Sequence, residues 1–145
     1  MRPFYRLPLQ CAQLTRPGRH PLLGQEEAIR QHIHLLLRTH YHGCRYDPAY
    51  GCYVWDKDFD NIQSIHRWKD ELEELVRQTI GDYERRLSAV VSAVTVDELP
   101  VADPKTGQVN RFSKRITITI EGTITQTNQR MVHREYMFFS PLSLA

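Results

Sequence analysis

Between Ile80 and Leu87 the apolar pattern of this chain changes period, and the change is crowded with charge. Upstream, Ile65, Trp68, Leu72, Leu75, Val76 and Ile80 trace one stripe at helical spacing, which predicts a helix from about Ile62 to Ile80. Lys69, Asp70, Glu73, Glu74 and Arg77 fall on its wet side. Downstream, Leu87 to Val96 is small and β-branched on both faces, which suits a central or doubly covered strand. The link is Gly81-Asp82-Tyr83-Glu84-Arg85-Arg86, with Gly81 placed to end the helix as a left-handed cap. Charges at such a turn lie beside the core, so they need partners.

The remainder reads as antiparallel sheet. Leu99 to Lys114 forms the next segment, turning at Asp103-Pro104-Lys105-Thr106-Gly107. From Arg115 to Thr125, Ile116, Ile118, Ile120 and Ile124 alternate with Thr117, Thr119, Glu121, Thr123 and Thr125. Gly122 falls on the apolar face and marks a bulge or a close helix approach. Thr127-Asn128-Gln129 turns the chain into a last strand, about Met131 to Phe139.

Nearer the start, Ile29, Ile33, Leu36 and Leu37 make a second helical stripe within Gln25 to about Thr39. Glu26 and Glu27 in its first turn and Arg38 in its last agree with the helix dipole. Residues 40 to 61 are rich in loop formers, although their tyrosines and Trp55 point to a loop that packs down. Residues 1–24 carry Pro3, Pro8, Pro17 and Pro21 and read as an extended arm, lying on its own domain or on a partner. The expected architecture is α+β: two main helices packed on one face of a three-stranded antiparallel meander, preceded by that arm. The domain proper is residues 25–145.

Composition narrows the function classes. A net charge of +2 forces no large nucleic-acid footprint, although Arg2, Arg6, Arg16 and Arg19 with Phe4 and Tyr5 could form a basic aromatic arm. No apolar run approaches the roughly 20 residues of a membrane helix, and Met1-Arg2-Pro3-Phe4-Tyr5 lacks the apolar region of a secretory signal. Cys11, Cys44 and Cys52 are too few for a disulfide scaffold, and the expectation is a reduced cytoplasmic protein.

Candidate chemistry is sparse. His40, His42, Cys44 and Cys52 are the one potential metal cluster, but the cysteines are too far apart for a ribbon or finger site, so no metal is expected. His32 and His34 point to different faces of the first helix, one at a buried edge and one exposed. No local motif suggests a Ser-His-Asp or Cys-His pairing, there is no glycine-rich phosphate loop, and no cofactor is expected. Glu84 and Arg86, two apart, project to the same side of an extended backbone, where an arginine fork grips a carboxylate on its own chain or on a neighbour. As a catalytic acid Glu84 is poorly placed: two adjacent arginines favour its ionised form, and no second carboxylate is forced into position.

In order and spacing these features resemble the phage baseplate wedge family often labelled lysozyme-like, and within it the TssE-type subunits of type VI secretion baseplates. Leu36-Leu37-Arg38-Thr39 followed by Gly43 looks like the family's first-helix exit. Pro48-Ala49-Tyr50-Gly51 looks like its loop signature, and Glu84-Arg85-Arg86-Leu87 stands where Glu-Pro-Arg-Leu would be, with Arg85 in place of the proline. The similarity spans roughly residues 22 to 139.

The resemblance implies a structural baseplate component without catalysis, joining a wedge complex and helping to start sheath assembly. It implies wedge subunits TssF and TssG and sheath proteins TssB and TssC as partners, on the cytoplasmic side of the inner membrane. Glu84, Arg85 and Arg86 are the expected contact group. The last strand, with Tyr136, Phe138 and Phe139, is the expected sheet edge facing the sheath. The apolar tail beyond it either adds to that contact or folds back on its own helices. The historical label leaves a peptidoglycan hydrolase, and the family a phage-tail equivalent, as alternatives.

Overall fold

A computed structural model describes residues 4–18, 20–52 and 65–139, apart from the side chains of residues 110, 111 and 139. Trp55, the expected helix start at Ile62 and the tail from Ser140 lie outside the described residues. The element order is β1 (Phe4–Tyr5), α1 (Cys11–Leu14), β2 (Leu22–Leu23), α2 (Gln25–Arg38), α3 (Ile65–Tyr83), β3 (Leu87–Ala102), β4 (Val109–Ile124) and β5 (Gln129–Phe139).

The α+β architecture is as expected. β3, β4 and β5 form an antiparallel meander in that order, and α2 and α3 bury their stripes against it. Ile29, Ile33, Leu36 and Leu37 from α2 meet Trp68, Leu72, Val76 and Ile80 from α3. Both stripes close on Ile116, Ile118, Ile120 and Ile124 of β4, with Met131 and Met137 of β5. Truncating one of these buried aliphatics typically costs about 2–5 kcal/mol.

Three expectations need correction. Gly81 does not end the helix: α3 continues to Tyr83, and the Glu84 amide still bonds the Ile80 carbonyl at 2.8 Å. The helix stops where the Glu84 side chain turns inward. Second, β3 is an edge strand, not a central one. Its other side is covered by α3, where Glu73 accepts from the Val94 amide at 2.8 Å and from the Ser92 hydroxyl. Third, Leu99–Ala102 continues β3 rather than starting a new strand, so β3 and β4 form one long hairpin around the predicted turn. Asp103 shapes that turn by accepting from the Lys105 amide at 2.8 Å.

The glycine on the apolar face of β4 has a local cause. Between the pairs Ser88↔Thr123 and Val91↔Glu121, β3 has two residues, Ala89 and Val90, opposite Gly122 alone. That is a bulge, and Ala89 takes a left-handed φ of 52° within it. A Cβ on Gly122 would lie 3.3 Å from both Leu87 and the Ser88 carbonyl, so the close approach comes from the neighbouring strand, not from a helix.

The N-terminal segment lies on its own domain and is not extended throughout. β1 pairs antiparallel with β2, and the turn of helix α1 sits between them. Gln31 on α2 holds this hairpin at two backbone points, accepting from the Leu7 amide at 2.7 Å and donating to the Tyr5 carbonyl at 3.3 Å.

Candidate functional site

Glu84 follows the last turn of α3, and the residue is 1% exposed. Arg86, two residues on, folds back onto it: Nε and Nη2 each donate at 2.7 Å, and the Arg86 amide donates at 3.1 Å. His32 of α2 donates through Nδ1 at 2.7 Å, so donors from two elements converge on one carboxylate. Burial works to raise the Glu84 pKa, but the Arg86 and His32 hydrogen bonds outweigh it and bring it down to about 2. Of the two sequence alternatives, the arginine fork closes on its own chain.

Around this centre the loop residues assemble. The Tyr50 ring stacks on His32 with centroids 6.1 Å apart and meets Tyr83 edge-on at 5.1 Å. Tyr83 donates to Asp47 at 2.8 Å. Burial pushes the Tyr50 phenol pKa up, with the charges of Cys44 and Glu84 adding to it. Gly51, beside Tyr50, has a φ of 134°, and a Cβ there would lie 2.5 Å from the Thr39 carbonyl. The loop motif Pro48–Gly51 and the junction motif Glu84–Leu87 therefore meet in space across His32.

The structure separates the three charged junction residues. Glu84 is committed to the interior. Arg86 is half-buried, with its guanidinium 5.1 Å from the Phe4 ring centroid, so the N-terminal hairpin covers part of it. Arg85 is exposed. On β5, at the sheet edge, Tyr136 is 43% and Phe138 63% exposed. The Phe139 backbone pairs with Lys114, while its side chain is outside the described set.

A second charged centre was not foreseen. Glu135 on β5 is 5% exposed and accepts from His34 at 3.0 Å, from Arg38 Nε at 2.9 Å and from His133 Nε2 at 3.1 Å. Burial again opposes ionisation, but the His133, His34 and Arg38 contacts prevail and lower its pKa to about 2. Its signal was in the sequence: Glu135 shares the inward parity of Met131 and Met137. His32 and His34, read only as one buried-edge and one exposed residue, are the α2 donors to the two carboxylates. Among the described residues, no three of His, Cys, Asp and Glu are grouped to hold a metal ion. No helix among them is long and apolar enough to cross a membrane.

Chemically, both centres are saturated carboxylates that tie α2 to the sheet side of the fold. Comparison with solved structures finds a likeness, with a TM-score of 0.58 and 21% identity, to a protein of Geobacter sulfurreducens provisionally described as a tail lysozyme. It covers 85% of this chain and 98% of that one, a likeness of fold. Among curated proteins no match is found. Residues 24–129 match the family described as baseplate wedge protein gp25, a span that takes in α2, the Tyr50 loop, Glu84 and the β3–β4 hairpin and ends where β5 begins. On that match the chain belongs to the baseplate wedge protein gp25 family.

Proposed function

We propose that this chain is a non-catalytic adaptor in the baseplate of a contractile injection machine of the type VI secretion kind. It joins a wedge complex built with TssF and TssG and offers the β5 edge to the first sheath subunits, TssB and TssC, on the cytoplasmic side of the membrane. The observation that carries the reading is the family match over residues 24–129.

The state of Glu84 supports the absence of catalysis. A glycosidase acid must be protonated near working pH, whereas this carboxylate is surrounded by donors that hold it ionised. The two saturated carboxylates act as internal ties that set the shape of the adaptor. Contact with neighbours then falls to exposed groups: Arg85, the outer side of Arg86, and Tyr136 and Phe138 on β5.

Co-purification tests this. The full chain should retain TssF and TssG, Arg85→Glu should weaken that complex, and Phe138→Ser should impair sheath assembly with the wedge intact. Peptidoglycan incubated with the protein should release no reducing ends. Release that is abolished by Glu84→Gln would establish the hydrolase reading instead.

A further inference from the structure

We propose that Arg30 and Arg38 form a removable cap on the outer edge of β5, and that the strand fitting this edge carries carboxylates to draw the two guanidiniums away. This rests on the reading of β5 as a docking edge and specifies its partner and its control. Arg30 Nη1 donates to the Val132 carbonyl and Arg38 Nη2 to the Tyr136 carbonyl, each at 2.6 Å. Val132, Arg134, Tyr136 and Phe138 share one parity on β5. Because two of their carbonyls accept from side chains outside the sheet, this parity turns its backbone groups away from β4.

The spacing is matched. Eight helical residues separate the arginines, a rise of about 12 Å, and four strand residues separate the carbonyls, about 13 Å. α2 thus runs along β5 with two guanidiniums in register with two outward acceptors. Each is braced by a carboxylate: Arg30 by Glu26 at 2.7 Å, Arg38 by Glu135 at 2.9 Å.

An exposed edge invites non-specific strand pairing, and charged side chains laid over it are a recognised protection. Here they occupy two of the acceptors that an added strand needs. Opening the edge moves side chains alone: Arg30 swings off the Val132 carbonyl, and at Arg38 the Nη2 contact to Tyr136 is released while Nε stays on Glu135. A strand whose amides replace the guanidiniums, and whose acidic residues four apart receive them, would exchange charge-assisted bonds one for one. A strand with basic residues at those places would meet repulsion as well as the cap.

The test uses two extended Thr/Val-rich peptides, one with glutamates four residues apart and one with lysines there. Binding is measured by fluorescence anisotropy and located by amide exchange over β5. Arg30→Ala is the main variant, since its carboxylate partner Glu26 is exposed and buried Glu135 is untouched. The Arg30→Ala/Arg38→Ala pair extends it, with a melting curve as fold control. Wild type should prefer the glutamate peptide, and Arg30→Ala should bind the lysine peptide on the order of tenfold tighter than wild type does. If both proteins bind both peptides equally, the cap is overturned while the docking edge stands. If neither peptide protects β5 in any protein, the docking edge fails and takes the cap with it.

Discussion

His32 Nδ1 sits 2.7 Å from the Glu84 carboxylate, 52 residues away in sequence, and so fastens the first long helix to the turn where the second becomes sheet. Glu84→Gln keeps the shape but removes the charge that Arg86 and His32 share. A half-buried guanidinium is then left without its counter-charge, a change that costs about 3 kcal/mol. Urea unfolding should show that loss as a lower midpoint at unchanged slope. A shift within about 0.5 kcal/mol would mean that the tie is ornamental.

Acid should unfold the protein through the same groups. Glu84 and Glu135 have folded pKa values lowered from 4.5 to about 2, so their stabilisation is complete above pH 4.5 and is lost as pH falls toward 2. Each contributes on the order of 3 kcal/mol over that window. Chemical denaturation at stepped pH should give a steep decline in wild type. It should be flatter in a Glu84→Gln/Glu135→Gln double variant that is weaker at neutral pH.

Gly51→Ala should be damaging although the position lies in a loop. The backbone there has a φ of 134° and approaches the Thr39 carbonyl, which also accepts from the Cys52 amide at 2.7 Å. An added methyl meets backbone and has no route of escape. A loss of about 2 kcal/mol or more is expected in thermal or urea unfolding.

Ala89→Gly should act in the opposite direction. Ala89 holds a left-handed φ of 52° in the β3 bulge, a conformation that costs a non-glycine residue about 1 kcal/mol. Glycine relieves it, so the melting temperature should rise by a few degrees. A fall would show that the methyl packs more usefully than its backbone strain costs.

Much of this was legible in the sequence because hydrophobic period reports directly on burial. The α2 stripe, the four isoleucines of β4 and Trp68, Leu72, Val76 and Ile80 of α3 are buried as read, whereas Ile65 at the start of α3 is exposed and Leu75 only partly covered. The position of β3 was not legible, since small β-branched residues suit a central strand and a helix-covered edge equally well. Gly81 misled because a glycine cap and a tolerated helical glycine look alike without the downstream contacts. The Glu135 centre was missed because local spacing cannot reveal partners such as Arg38, 97 residues distant. For Glu84 the sequence identified the fork with Arg86 but left open whose carboxylate it would hold.

The most direct measurement is the carboxyl titration of Glu84, followed by NMR on protein labelled at glutamate. The account predicts an apparent pKa near 2, far below an ordinary glutamate, rising once Arg86 is changed to alanine. A value above 5 in the wild-type protein would contradict it, because Glu84 would then hold its proton as a general acid does.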